Sequence, residues 1–281
     1  MSSLKRKIQR QGLCVFCGRP GLTKEHIWSD WLKRYIPIVA SHRMSAIRMQ
    51  GDLAPGGKVI LQPHLSREKQ GGVSRQHLRR VCGHCNNGWM KGIVDAARPT
   101  VVRILKKEQL EIQPAEAAAL SGWIAIACIM AEYLDDRTRA IPAEERVALM
   151  KARATSSDWI ISIGQYEGQE WSPASYKHFG AIFKTSPGPG GLPEPPLHYL
   201  HIATYTLGPL AVQAISTNHA AILADASRRW IASDMIQLFP AAPRSFKWPP
   251  HRILRDGMVD MIIDGPVGDF LGGNVPTRRG L

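Results

Sequence analysis

The chain is poor in cysteine and lacks a hydrophobic run long enough to cross a membrane comfortably. Only five cysteines occur in 281 residues, and the first dozen positions carry charge without an apolar signal core. A disulfide-rich secreted scaffold is therefore not expected. The longest apolar run, Ala117 to Ala131, is shorter than the roughly 20 residues that span a bilayer, and it predicts a buried helix. We accordingly expect a cytoplasmic protein with no membrane partner.

Acidic residues are scarce in the first third of the chain. Positions 1–100 contain 18 Lys and Arg against 5 Asp and Glu, whereas the rest of the chain contains 18 of each kind. The whole net charge of +13 therefore belongs to the first third. Such an excess is typical of a solvated basic face or of a surface that attracts phosphates without reading sequence. The charge alone does not choose between them, and the second interpretation implies a nucleic-acid partner, DNA or RNA.

The cations expected to contact nucleic acid form two groups in the sequence. They are Lys5, Arg6, Lys7 and Arg10 in an N-terminal arm, and Arg75, Arg79 and Arg80 just before the second cysteine pair.

Four of the five cysteines form two Cys-x-x-Cys pairs. They are Cys14 with Cys17, and Cys82 with Cys85, separated by a long middle segment. Two intervening residues let both sulfurs of a pair approach one ion, and four thiolates can close a tetrahedral zinc site. Four unrelated reduced thiols are the alternative. Cys128 lies within the apolar run and is expected to be a buried small hydrophobe.

Polar residues of another chemistry accompany the cysteine pairs. Glu25 and His26 lie between the pairs, and Asn86 and Asn87 follow the second one directly. Carboxylate and carboxamide oxygens bind hard divalent cations, and an imidazole can act as a general base. Adjacent residues on a regular strand point to opposite faces, so the strand must end or bend if Glu25 and His26 share a site. On a helix, only one of the two asparagines should face it.

The segments Cys-x-x-Cys-Gly, Leu-Thr-Lys-Glu-His-Ile and Val-Cys-x-x-Cys-Asn-Asn-Gly-Trp-Met together resemble an HNH endonuclease of the zinc-bound ββα-metal, or His-Me finger, type. The resemblance covers residues 13 to about 98. It implies that His26 is the general base and that Glu25 and Asn86 hold a catalytic Mg²⁺ or Mn²⁺. It also implies a structural Zn²⁺ on the four cysteines, and hydrolysis of DNA phosphodiester bonds.

The chain departs from the family pattern at several positions. No asparagine lies between His26 and Cys82 to brace the loop that carries the base. The residues that could replace it are His42, Asp52, His64, Ser74 and His77. Ser29 stands where proline is frequent, and Met90 stands where some members have a histidine ligand. These departures leave open a second interpretation, a catalytically decayed zinc module that binds nucleic acid without cleaving it.

The predicted fold class is α+β. An N-terminal ββα-metal, treble-clef-like zinc module precedes a helical segment and a mostly antiparallel sheet. We place a basic nuclease-like domain at residues 1–112 and a second α+β domain at 113–281. The role of the second domain is left open between target recognition, dimerisation and ligand sensing, and a homodimer would let one active site per chain cut two strands.

Within the distal domain, capping and hydrophobic patterns predict the elements. A helix is expected to start at Gln113–Glu116, and a second one to cover Pro142 to Ala152 with the proline in its first turn. Strands are predicted at 158–166, 176–184, 199–207, 210–216 and 230–238. The segment 186–196, rich in Pro and Gly, is expected to form a loop, and the tail from Gly272 to be loosely ordered.

Overall fold

The computed structural model describes residues 12–37, 43–53, 59–70, 77–134, 139–184, 197–230, 234–240 and 244–270. Its mixture of helices and largely antiparallel strands confirms the α+β class.

The strands are β1 (Leu22–His26), β2 (Arg43–Leu53), β3 (Val59–Gln70), β4 (His77–Cys82), β5 (Leu110–Ile112), β6 (Trp159–Tyr166), β7 (Ala174–Lys184), β8 (Leu197–Leu207), β9 (Leu210–Thr217), β10 (Ile236–Phe239), β11 (Phe246–Trp248) and β12 (Ile253–Leu254). The helices are α1 (Gly83–Cys85), α2 (Lys91–Leu105), α3 (Pro114–Glu132), α4 (Ala143–Ala152), α5 (Ala220–Asp225) and α6 (Asp256–Phe270). A π-helical turn, Asn86–Met90, joins α1 to α2, and another, Ala226–Trp230, follows α5.

The N-terminal part is organised around a short two-stranded sheet. Strand β1 pairs antiparallel with β4, and the chain passes from β4 directly into α1 and on to α2. Helix α2 packs against α3, which connects this part to the distal sheet. Trp28, almost fully buried, adds a second connection because its ring packs edge-on against Tyr176 and Tyr205 of that sheet. The two parts therefore share one hydrophobic core.

An eight-stranded sheet dominates the rest of the molecule. Its strand order is β10-β6-β9-β8-β7-β2-β3, with β12 added in parallel to β6. The β8–β9 hairpin turns through Gly208, whose φ of +55° falls in the left-handed region that glycine adopts at little cost. The sheet is antiparallel except where β2 meets β7 and β12 meets β6.

Strands β2 and β3 belong to the basic first third of the chain, yet they extend the distal sheet. β2 pairs in parallel with β7, and β3 pairs antiparallel with β2 at the end of the strand order. β5 likewise pairs with β11. Segments before residue 112 thus supply strands to sheets completed by segments after it.

Helix α3 is apolar on all sides and lies inside the protein. It starts with a reciprocal capping box, in which the Gln113 backbone N–H donates to the Glu116 carboxylate over 2.8 Å. Among the described helices it alone is long and apolar enough to cross a membrane, and 72% of its apolar window is buried within the protein. The predicted start is confirmed, and Cys128 is fully buried as predicted.

The two faces of the large sheet are covered by different helices. His201 of β8 bonds to Glu132 of α3, and Tyr176 and Tyr205 lie on the same face as His201. Lys177 of β7 lies on the opposite face and donates to Asp264 of α6 over 3.1 Å. The apolar helix α3 and the C-terminal helix α6 therefore enclose the sheet between them.

Most predicted distal elements are confirmed. Strands β6 to β9 and helices α3 and α4 occupy the predicted segments, although Pro142 is the N-cap of α4 rather than a residue of its first turn. The prediction of a strand at 230–238 is wrong at its start, because a π-helical turn extends to Trp230 and β10 begins only at Ile236. Helices α5 and α6 and the short strands β11 and β12 were not predicted. The loop at 186–196 and the tail from Gly272 lie outside the described residues.

Candidate functional site

The first cysteine pair sits in a tight turn before β1. The backbone N–H of Gly18 donates to the Cys14 carbonyl over 2.9 Å, and Gly18 has a φ of +70°. A side chain would be strained in that conformation, which explains the glycine after Cys17. The N–H of Val15 donates to the Arg80 carbonyl over 2.9 Å, so the turn is attached to β4 just before the second pair.

The second pair completes a four-sulfur cluster. Cys82 ends β4 and Cys85 ends α1, so the strand-to-helix turn directs both toward the first pair. The four Sγ atoms lie within 4.8 Å of one another, and those of Cys17 and Cys82 are 3.5 Å apart. Tetrahedral Zn–S bonds of about 2.3 Å would place sulfurs about 3.8 Å apart. The cluster therefore suits one metal ion.

Burial and local hydrogen bonds set the acidity of the thiols. Burial opposes ionisation of Cys14, but backbone N–H groups of Cys82, Cys17 and Phe16 lower its pKa to about 7. Burial raises the pKa values of Cys17 and Cys85. In the absence of a cation only part of this cluster would ionise near neutral pH, because adjacent thiolates repel one another.

Glu25 and His26 lie at the end of β1, where the strand pairing is irregular. Thr23 pairs with Val81, but the register shifts before Glu25, which lies opposite Leu78. His26 is the last residue of the strand. This shift and the strand end are the kind of distortion that lets neighbouring side chains reach one region.

Asn86 brings the start of the helix to Glu25. Its Nδ2 donates to the Thr23 hydroxyl over 3.2 Å, and its side chain also hydrogen-bonds the Glu25 carboxylate. Burial raises the pKa of Glu25, while the bonds from Asn86 and the His26 backbone partly offset that effect. Asn87 is exposed instead. A half-buried carboxylate beside a carboxamide group offers two ligands for a hard cation once the amide turns its oxygen toward the ion.

His26 faces a second histidine across the β1–β4 pair. The Nε2 atoms of His26 and His77 are 2.6 Å apart, and Asp30 Oδ1 lies 3.4 Å from His26 Nε2. Burial and His77 lower the pKa of His26, and Asp30 opposes them. The imidazole is therefore mostly neutral at pH 7, and part of its side chain is exposed.

The structure separates the other predicted residues. Arg79 is exposed on β4, whereas the guanidinium of Arg80 stacks 5.4 Å from the Tyr133 ring centre. Met90 is buried in the core. The remaining predicted nucleic-acid contacts lie outside the described residues; they are Lys5, Arg6, Lys7, Arg10 and Arg75. Two candidates to replace the loop asparagine, His42 and Ser74, also lie outside them.

Two contributors to this region were not singled out in the sequence. Thr23 was missed, although its hydroxyl accepts from Asn86 and donates to the Val81 carbonyl over 3.1 Å. His77 was one of five alternatives, and only the pairing of β1 with β4 places it against His26. Strand register between segments far apart in the chain leaves no local signal in a sequence.

The described fold and site thus define an α+β protein with a four-cysteine cluster beside a Glu-His-Asn group. Comparison with models of known families, with curated proteins and with solved structures gives no match for the chain. Its function must therefore be argued from the chemistry of this site.

Proposed function

We propose that this protein is a metal-dependent HNH-type endonuclease that hydrolyses DNA phosphodiester bonds and carries a structural Zn²⁺ on its four cysteines. One observation carries the proposal. Glu25 and Asn86, from a strand end and a helix start, are hydrogen-bonded to each other, and His26 follows Glu25 at a partly exposed strand end. The net charge of this third of the chain favours a phosphate substrate.

The donor set fits a hard divalent cation such as Mg²⁺ or Mn²⁺. Glu25 would contribute a carboxylate oxygen and Asn86 its amide oxygen, which requires the amide to turn that oxygen toward the ion. Few protein ligands would leave coordination positions for phosphate and water. A bound cation would stabilise negative charge on the scissile phosphate and the leaving oxygen.

His26 would accept the proton of the attacking water. A general base must be unprotonated before it acts, and the lowered pKa of His26 favours the neutral imidazole at pH 7. His77 would restrict the orientation of the His26 ring through the bond between their Nε2 atoms. In that role it would replace the asparagine that the family pattern places in the preceding loop.

The four cysteines would hold zinc as a structural ion. Four sulfur donors leave no open position for substrate, which is typical of structural rather than catalytic sites. The ion would fix the turn at Cys14 against the β4–α1 junction, and hence the position of Asn86 next to Cys85.

A second candidate function is a nucleic-acid-binding module without cleavage. The observation that favours it is Met90, which is buried in the core and cannot supply the ligand that some family members have one turn beyond the asparagine. A thioether is in any case a poor ligand for Mg²⁺.

Supercoiled plasmid tests the two functions directly. Wild type, His26→Ala and the control His251→Ala, an exposed histidine of the distal part, are incubated with Mg²⁺, with Mn²⁺ or without added divalent metal. We expect metal-dependent nicking or linearisation by wild type and the control, and none by His26→Ala. Equal cleavage by His26→Ala would refute the base assignment. DNA binding without cleavage by any folded, zinc-loaded variant would favour the second function.

A further inference from the structure

A groove of about 680 Å³ opens beside Cys17 and Cys85 of the sulfur cluster, and Glu25, His26 and Asn86 are not among the residues that line it. It lies between the turn of the first cysteine pair, the π-helical turn Asn86–Met90, the start of α2, the start of α3 and the end of α4. We call it the α2–α4 groove. Neither the proposed zinc nor the proposed catalytic cation accounts for this groove.

The floor of the α2–α4 groove is apolar. It is formed by Trp89, Ile93, Met150 and two alanines of α3. The Trp89 indole packs edge-on against the buried Phe16, with ring centres 5.1 Å apart and planes at 82°. This contact holds the indole while part of it remains accessible. A held and partly exposed aromatic ring is the element on which an unpaired nucleobase can stack.

The rim of the groove is positively charged. Arg19, His84 and Arg153 line it and are exposed, and no acidic residue is among the lining residues that the structure describes. Within the described parts of the chain, neither Arg19 nor Arg153 forms an ion pair. Two uncompensated guanidinium groups above an apolar floor are complementary to a ligand that is flat at one end and anionic at the other.

Two residues of the groove differ from what their local backbone favours. Gly92 lies inside helix α2, where alanine would be more stable, yet an added Cβ would meet no atom within 4 Å. Arg153 ends α4 with a φ of +54°, a position where glycine is usual. Packing within the protein therefore explains neither the missing side chain nor the arginine. Both choices keep the groove open and charged.

The groove is continuous with the candidate site through the π-helical turn. Asn86, at the start of that turn, bonds to Thr23 and Glu25, and Trp89 lies three residues later on the groove side. The turn is kinked at Gly88, between Asn86 and Trp89, so only a few residues of chain separate the two regions. A strand held at Glu25 and Asn86 would therefore reach the groove with a nearby nucleotide.

We propose that the α2–α4 groove binds one unpaired nucleotide of the DNA strand, close to the phosphate bound at the candidate site. The base stacks on Trp89 and contacts Met150, and the phosphate of that nucleotide is held by Arg19 and Arg153. The proposal rests on the proposed function, because it adds a nucleotide subsite to the same substrate. It assigns to the protein a preference for strands that are already unpaired near the cleaved bond.

A binding experiment tests the subsite. A fluorescent single strand, and a duplex of the same sequence, are titrated by anisotropy in a His26→Ala background, which prevents cleavage. The first test variant is Gly92→Gln, which extends a side chain into the groove while favouring the helix. The second combines Arg19→Gln with Arg153→Gln.

The matched control for the arginines is Lys106→Gln with Lys107→Gln. Both lysines are exposed in the N-terminal part, and Lys107 has a φ of +59°, in the same backbone region as Arg153. Circular dichroism and zinc content show whether each variant is folded, because the groove borders Cys17 and Cys85.

Gly92→Gln should weaken single-strand binding by about fivefold or more, since one stacked base is lost, and should change duplex binding by less than about twofold. The double arginine variant should reduce the slope of log K against log salt by about 0.7 for the single strand, the value for one phosphate contact. The lysine control should keep the wild-type slope.

The outcomes separate this inference from the proposed function. Plasmid cleavage by wild type, together with unchanged single-strand binding in Gly92→Gln and in the arginine variant, would overturn the subsite and leave the nuclease assignment standing. Loss of single-strand binding in both variants, without plasmid cleavage by wild type, would support the subsite and contradict the nuclease assignment. Equal binding of a strand made only of abasic nucleotides would overturn the stacking of a base on Trp89.

Discussion

His26 and His77 are joined through their Nε2 atoms, 2.6 Å apart, across the last pair of the β1–β4 ladder. One nitrogen must donate and the other accept, so the pair fixes the tautomers of both rings relative to each other. This relationship ties the orientation of the proposed base to a single residue of the neighbouring strand.

Replacing His77 should therefore lower the cleavage rate without removing the base. We expect His77→Ala to reduce the single-turnover rate by about 10²-fold, because a misoriented ring loses attack geometry. The KM for plasmid should change little. His77→Asn, which can still accept or donate one hydrogen bond, should recover part of the rate. A wild-type rate in His77→Ala would show that His77 does not position His26.

The two neighbouring asparagines provide a matched pair. Asn86 bonds to Thr23 and Glu25, whereas Asn87 is exposed. Asn86→Ala should reduce metal-dependent cleavage by about 10²-fold or more, since it removes one of two protein ligands. Asn87→Ala should stay close to wild type. The check is the Mg²⁺ concentration needed for half-maximal cleavage, which should rise only for the Asn86 variant.

Removal of a cluster cysteine should release the structural metal. Elemental analysis of purified wild type should find about one zinc per chain, and Cys82→Ser should find almost none. Cys128→Ser changes a cysteine that is fully buried outside the cluster, so it should keep the metal while losing some stability. Loss of the metal should also unfold the N-terminal part, measurable as loss of amide protection around β1 and β4. Native protein without zinc would contradict the prediction.

Glu132 should make stability depend on pH in the acid range. Burial alone would raise its pKa, but His201, 2.7 Å away, and the backbone N–H of Ala140 hold the pKa below its ordinary value of 4.5. The unfolded chain therefore takes up the proton first as pH falls. This contribution to stability is complete above about pH 4.5 and is lost as pH drops through the lower, folded-state pKa.

The matching variant is Glu132→Gln, with exposed Glu144→Gln as the control. We expect the free energy of unfolding at pH 7 to fall by about 2–4 kcal/mol in Glu132→Gln, and by less than about 0.5 kcal/mol in the control. Denaturant titrations at pH 7 and near pH 4 measure both effects. Between pH 7 and pH 4, the free energy of unfolding should fall more in wild type than in Glu132→Gln. An equal fall in both proteins would show that groups other than Glu132 cause the loss of stability in acid.

Local signals explain which parts of the fold could be predicted. Strands β6 to β9 contain repeated β-branched and aromatic residues, and α3 combines a capping signal with a continuous apolar sequence. Helix α6 was missed because Asp256–Phe270 contains several glycines and Pro266, which are unfavourable in helix interiors. Tertiary packing of residues such as Val259 overrides those propensities.

The candidate site shows the same division. The cysteine pairs and the Glu25–His26 dipeptide can be recognised from the sequence, because the residues of each group are adjacent or nearly adjacent in the chain. The bond from Asn86 to Thr23 and the pairing of His77 with His26 depend on how β1 and β4 align. The pairing of β2 with β7, which lie far apart in the sequence, depends on the whole sheet.

The path of the chain between the two cysteine pairs has a consequence for how the protein is made. The segment from Gly18 to Val81 forms a loop whose ends meet at the sulfur cluster, and its strand β2 needs β7 as a neighbour. During synthesis the chain up to Ile112 leaves the ribosome before β7 has been made. Until then β2 and β3 can pair only with each other, and an isolated two-stranded hairpin is marginally stable in water. A fragment ending near Ile112 would keep its four cluster thiols but lack this neighbour. Expression of the full chain, rather than of its first third, is what completes the sheet.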